Sequence, residues 1–191
     1  AMGYPTDGID RHTKKLVGRL EKRFSPAMRL SVTAALEHYT ATFAEIILTS
    51  DEAQGLIGHT EVRPILLWHA FEECEHKAVA FDVYTAIGGS ERTRVWGMRL
   101  ATVILFAELV VQTIRSLVGD PAAYNPRRIL TSLRAFRRSP LFSSAAIERF
   151  RSYTRAGFHP DDWDSTEILE RWTRELFDAD GTQRVTTGAG P

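Results

Sequence analysis

From Ile65 to Tyr84 the chain is apolar almost all round, yet residues 69–76 read His-Ala-Phe-Glu-Glu-Cys-Glu-His and set two imidazoles and three carboxylates into that run. Leu66, Leu67, Trp68, Phe71, Val79, Phe81 and Val83 are what a core helix offers its neighbours. A carboxylate buried alone costs several kcal/mol and either neutralises or finds a partner. A helix of this kind therefore folds only against something that satisfies its acids, and the direct candidate is a metal cation.

Spacing sharpens that expectation. At about 3.6 residues per turn, His69, Glu73 and His76 fall on one stripe, with Glu72 beside it, three residues from His69 and four from His76. Four candidate ligands share one face, while Glu75 and Lys77 point elsewhere, toward solvent or a salt bridge. Glu73 to His76 is also a Glu-x-x-His, the spacing by which one helix of a carboxylate-bridged di-iron bundle offers a metal pair an oxygen and a nitrogen. Alone the pattern is common by chance; His69 one turn earlier and the apolar surroundings give it weight. The competing reading is a polar patch in which protonated His pairs with Glu at a wet surface.

The 191 residues suggest one domain with a core of its own, over 4–178, and a disordered tail, 179–191. Lys+Arg and Asp+Glu are both 24, so no global charge argues for a nucleic-acid partner. The single cysteine, Cys74, excludes an internal disulfide and fits a reducing, cytoplasmic compartment; in a core helix it is a packing residue before it is a chemical one. Ala1-Met2-Gly3 reads as a cloning remnant followed by a start, with no secretory signal after it.

Helical periodicity runs through the chain, and no strand pattern or internal repeat stands out. Residues 8–24 suit a charged surface helix carrying Leu16, Val17 and Leu20. Ser25-Pro26 opens a stronger helix that Met28, Leu30, Leu36, Tyr39, Phe43 and Ile47 carry to about Thr49, where Ser50-Asp51 and Gly55 break it. Glu37 lies in it, between Ala34 and Ala41 on its own stripe, and small flanking residues leave room for a metal or a close partner helix. Glu45 follows two turns on, and His38 points about 100° away. The ligand-bearing helix is expected as one piece from residues 61–64 to Ala86, with Gly88-Gly89 as its stop. A fourth helix, Glu91 to Val118, ends at Gly119-Asp120-Pro121; its middle, Leu100 to Ile114, is apolar but interrupted by Glu108 and Gln112, short for a membrane span and suited to a buried or interfacial place.

Beyond Pro121 the composition shifts. Arg127, Arg128, Arg134, Arg137, Arg138, Arg149, Arg151 and Arg155 face only Glu148 before Asp161, with Ile129, Leu130, Leu133, Phe136, Leu141 and Phe142 interleaved. These are short amphipathic helices with a basic face, either simply solvated or turned toward an anionic membrane surface or a lipid-like substrate. After the Gly157-Phe158-His159-Pro160 turn, Asp164-Ser165 caps a last helix through Leu176.

Three strings, Ala34-Ala-Leu-Glu-His-Tyr-Thr-Ala41, Trp68 through Tyr84, and Gly157-Phe-His-Pro160, resemble the bacterial family of predicted metal-dependent hydrolases over nearly the whole chain. The resemblance implies an all-α helical bundle, partly ferritin-like, with a metal and a hydrolytic reaction, in a layout closer to ferritin-like di-iron proteins than to zinc hydrolases. By position, Glu37 matches the family's later carboxylate helix and Glu73/His76 its Glu-x-x-His helix, with His69, Glu72 and Asp82 as accompanying positions. It further implies two preceding helices with another Glu and another Glu-x-x-His, which this chain does not carry; a full di-iron set needs both halves. Three outcomes follow: weak or no metal binding, a single metal at His69, Glu73, His76 and Glu37, or a homodimer in which two identical halves rebuild the set through a twofold interface.

The expected metal ligands are thus Glu37, His69, Glu73 and His76, and the expected catalytic acids and bases Glu72 and Glu73. The carboxylate-rich set favours iron or manganese over zinc. Two chemistries fit: dioxygen-dependent oxidation of a small apolar or lipid-like substrate, or hydrolysis with Glu72 or Glu73 as general base. The non-enzymatic alternative is a helical membrane-surface or partner-binding protein whose Glu/His cluster is structural.

Overall fold

The computed structural model describes residues 11, 14–15, 17–19, 22–118, 124–178 and 181–182. Among them are eight helices of defined extent and no strand. The fold is all-α, as the periodicity implies. The described residues before Phe24 are helical, but Leu16 and Leu20 of the expected first helix, the Gly119-Asp120-Pro121 stop and residues 183–191 of the expected tail lie outside the described residues.

Helix α1 (Pro26–Thr49) is the hub. Ser25 is its N-cap, accepting from the Met28 N–H at 3.3 Å, and Pro26 takes the first helical position, where its missing N–H costs nothing. Ser50, where a break is expected, ends α1 and caps the short helix α2 (Asp51–Gly55) by accepting from Ala53. Small residues on α1 (Ser31, Ala34, Ala35, Ala41, Ala44) are buried and let neighbouring helices come close. α3 (Val62–Glu75), α4 (Val79–Ala86), α5 (Glu91–Val118), α7 (Ser144–Ser152) and α8 (Thr166–Leu176) all pack against it. One core cluster gathers Ala34, Ala35 and Tyr39 with Phe81, Met98, Ala101, Tyr153 and Phe158; a second gathers Ala44 and Leu48 with Phe71, Cys74, Trp172 and Leu176.

Two expectations need correction. The ligand-bearing helix is not one piece to Ala86: α3 ends at Glu75, His76 is its C-terminal cap residue (φ −97°, ψ 5°), and α4 starts afresh at Val79. No Gly or Pro marks the break. Tertiary bonds hold it, since Lys77 reaches away to Ser165 Oγ at 2.9 Å and the Trp163 carbonyl, while the new helix N-terminus gives an N–H to Glu37. Gly88, at φ +76°, does stop α4 as expected.

Of the two places expected for the apolar α5, the buried one does not hold, and the helix is not too short to span a membrane. Its buried residues, Arg94, Gly97, Met98 and Ala101, all lie in the first half, and only 6% of its most apolar 18-residue window is buried. Leu105 still leans on the first core cluster. Beyond it Phe106, Leu109, Val110, Ile114, Leu117 and Val118 are exposed, on a helix long and apolar enough to cross a membrane. Helix α6 (Pro126–Arg138), capped by Asn125, has no buried residue.

Candidate metal pocket

Two helices and the turn after the second converge on one pocket. Its lining is Glu37 from α1, His69, Glu72 and Glu73 from α3, and His76 and Lys77 from the turn that follows, around a cavity of about 220 Å³. Every sequence-derived ligand or catalytic candidate is there, brought together across α1 and α3. Lys77, expected to point elsewhere, lines the pocket too.

Glu37 sits between α1 and the start of α4, where its Oε2 accepts the Ala80 N–H at 3.1 Å. That N–H is one of the first-turn donors a helix leaves unsatisfied, and the helix N-terminus favours the negative charge. Burial outweighs this help and pushes the Glu37 carboxyl above its ordinary 4.5, with Glu73 adding to the rise and the Ala80 bond and His76 opposing it. Glu73 Oε2 accepts the Thr40 hydroxyl at 2.5 Å, and Glu73 Oε1 lies 3.4 Å from His69 Nε2. The His69 side chain is 60% exposed and that of Glu73 25%, so the pair forms the open lip of the pocket. Among the described residues nothing engages the Glu72 carboxylate or the His76 ring by hydrogen bond or ion pair.

Thr40 and the Ala80 N–H are contributors that sequence reasoning missed. Thr40 was within reach of it, being one turn from Glu37 on α1. The Ala80 N–H was not, because it exists only where the helix restarts.

Three carboxylates, Glu37, Glu72 and Glu73, line one pocket, and Glu73 adds to the rise of the Glu37 pKa. The one ammonium in the lining, Lys77 Nζ, is bonded to Ser165 and the Trp163 carbonyl and lies 3.7 Å from Asp161. The pocket thus holds oxygen and nitrogen donors with acid charge facing acid charge, which suits a cation. Yet among the described residues no three His, Cys, Asp or Glu side chains stand close enough to hold an ion as they are. The fit is one of donor chemistry; the side chains share a pocket and not a coordination sphere.

The other motif residues have settled structural roles. Glu45 is buried and paired with Arg149, with Ser165 Oγ donating to its Oε1 at 2.5 Å. His38 Nε2 lies 2.8 Å from the Arg149 carbonyl, which can only accept, so Nε2 carries the proton; burial drives this imidazole down to about 4. Cys74 is buried and its thiol pushed up by burial to about 12, a packing residue as expected. Asp82 lies outside the pocket lining and takes His159 Nε2 at 2.9 Å, while His159 Nδ1 accepts the Asp161 N–H. The Gly157-to-Pro160 turn is pinned by Glu91, which accepts the Gly157 N–H at 2.8 Å, and by Arg94, buried against the rings of Phe81, Tyr153 and Phe158.

Fold and pocket together define an all-helical protein in which an acid–imidazole pocket opens between a hub helix and a broken partner helix. The chain belongs to the predicted metal-dependent hydrolase family, whose model matches residues 1–164. That match covers α1, α3 and α4, the pocket and the Gly157-to-Pro160 turn. Comparison with curated proteins gave no match, and comparison with solved structures gave none either.

Proposed function

We propose that the pocket is a hydrolytic metal site. What carries the reading is that Glu37, His69, Glu72, Glu73 and His76, from two helices far apart in sequence, line a single cavity in a chain of this family. Glu37, His69, Glu73 and His76 would hold the ion, with His69 and His76, both exposed, turning in to meet the carboxylates. A bound ion of this kind supplies Lewis acidity and lowers the pKa of water.

The chain's own residues do the rest. Glu72, with no competing bond among the described residues, is the general base that takes a proton from the attacking water. Thr40 holds Glu73 in place, and the Ala80 N–H does the same for Glu37. The substrate's reacting end must be small to enter about 220 Å³. Exposed Ile65 and Leu66, one turn before His69, and Val79 and Val83, following His76, favour an apolar or lipid-like remainder lying outside.

The test is hydrolysis of a panel of p-nitrophenyl esters of increasing acyl length, with metal content measured on the same samples. Activity should vanish on chelation and return with manganese, iron or zinc. Glu72→Gln should keep the metal and lose at least about a hundredfold in kcat, whereas Glu73→Ala with His76→Ala should lose metal and activity together. A Glu72→Gln variant as active as the parent sinks the assignment of the base. Metal content unchanged in the double variant sinks the site.

A further inference from the structure

We propose that the exposed half of α5 and the whole of α6 form a docking surface for an anionic lipid bilayer. The inference rests on these two helices and is independent of the metal pocket.

After Leu105, α5 leaves the core, and the exposed apolar face begins at Val103. Val103, Phe106, Leu109, Val110, Val111, Ile114, Leu117 and Val118 are all exposed, so this part is apolar nearly all round and, among the described residues, largely uncovered. A helix of that composition belongs in a large core or in lipid. The core is excluded by the 6% burial of its apolar window. Leu100 to Val118 extends roughly 28 Å as a helix, comparable to the bilayer's hydrocarbon thickness of roughly 30 Å. Its main polar interruption is partly self-satisfied, since Gln112 Nε2 donates to Glu108 at 3.4 Å.

Helix α6 names the occupant. Ile129, Leu130, Leu133 and Phe136 fall at i, i+1, i+4 and i+7, one face of the helix, and all four are exposed. Arg127, Arg128 and Arg138 lie on the opposite side, Arg134 flanks the apolar face, and Arg137 falls at its edge between Leu130 and Leu133, where a long side chain reaches from an apolar surface to headgroups. From 121 to 147 the sequence holds no Asp or Glu, though the chain as a whole is neutral. Strong amphipathicity, low overall hydrophobicity and a basic polar face are the marks of a helix that lies in a bilayer interface. A second copy of the chain docking on this same surface would bring five arginines against five. An anionic lipid surface is complementary instead, each cation near it favouring binding by about a factor of five.

The experiment is co-sedimentation of the full chain with vesicles of phosphatidylcholine alone and of an equimolar phosphatidylcholine–phosphatidylglycerol mixture. The chain should sediment with the mixed vesicles, weakly or not at all with the neutral ones, and less as salt rises. Arg134→Glu, Arg137→Glu and Arg138→Glu together should lower the partition at least about tenfold. The neutral set Arg134→Gln, Arg137→Gln and Arg138→Gln should fall between, and Leu133→Asp should release the chain with all five arginines in place. Because α6 has no buried residue, every variant should melt with the parent. Equal binding to both vesicles, binding to neither, or full binding by the charge-reversed variant overturns the proposal. So does a stable dimer in light scattering that Leu133→Asp dissolves. Glu73→Ala with His76→Ala should bind lipid like the parent, which separates failure of this surface from failure of the metal site.

Discussion

His38 shows how one residue can be readable as a non-ligand and still control behaviour. Its position about 100° from the Glu37 stripe excluded it from the pocket, and the structure seats it against Tyr153 and Phe158 with its N–H on the Arg149 carbonyl. Its pKa falls from 6.5 to about 4 chiefly because burial disfavours the charged ring. The folded pKa is depressed, so as pH falls below 6.5 the unfolded chain takes up a proton that the folded chain refuses. Stability from this group is complete above 6.5 and drains away toward about 4. Glu37 acts in the opposite sense, because its raised pKa lets the folded chain keep a proton that the unfolded one has lost. The difference between parent and His38→Gln, which retains an N–H donor and does not titrate, isolates the imidazole. Between about pH 7 and about pH 5 the parent should lose roughly 2 kcal/mol more than the variant in urea titrations. Equal losses would mean that His38 is charged in the fold. Glu45 carries a second prediction: with its carboxylate buried and paired to Arg149, Glu45→Ala leaves a largely enclosed cation alone and should cost about 3 kcal/mol. An unchanged urea midpoint would show Arg149 escaping to solvent.

Elements were legible where a local signal marks them. Ser25-Pro26, Gly88 and Asp164-Ser165 placed helix ends within a residue or two, because caps and positive-φ glycines act within a single turn. The break between α3 and α4 has no such signal: His76, Lys77 and Ala78 are acceptable helix residues, and partners distant in sequence (Glu37, Trp163 and Ser165) hold the chain apart. For the same reason the sequence left α5 between a buried and an interfacial place, since apolar composition says that a helix wants cover and not what covers it. The packing of α1 on α5 is testable through Gly97. A Cβ there would meet Ser31 Oγ at 1.8 Å and the Ser31 backbone carbon at 2.9 Å, and Ser31 is itself held to the Thr93 carbonyl at 2.9 Å. Gly97→Ala should therefore push the helices apart and cost about 1–3 kcal/mol. Gly55→Ala, with nothing within 4 Å, should be neutral or mildly stabilising, as exchanging Gly for Ala in a helix ordinarily is. If both variants behave alike, the close approach at Gly97 has no energetic weight.

At the scale of the molecule, the pocket's members were readable from one helix period and one family resemblance, because a stripe on α3 and a Glu among alanines on α1 are local facts. Their mutual placement was not, since it depends on where α4 restarts and which way Lys77 turns. That placement bears on how many chains a metal site needs. Three carboxylates and two imidazoles line one pocket of one chain, which supports the single-metal outcome over one that waits for a second copy. The donors are not closed around an ion beforehand, so binding must draw in His69 and His76 and will be weaker than at a prearranged site. Titration with manganese, iron or zinc should give one ion per chain with no change of mass in light scattering. At free metal about a hundredfold above Kd the fold should gain about 2.7 kcal/mol, which for a chain of this size raises Tm by about 5–10 °C. Glu37→Gln should blunt the rise, and Glu73→Ala with His76→Ala should abolish it. A doubled mass on metal addition, with two ions per pair of chains, would instead assign the site to two copies, and no uptake at all would leave the cluster a polar patch between helices.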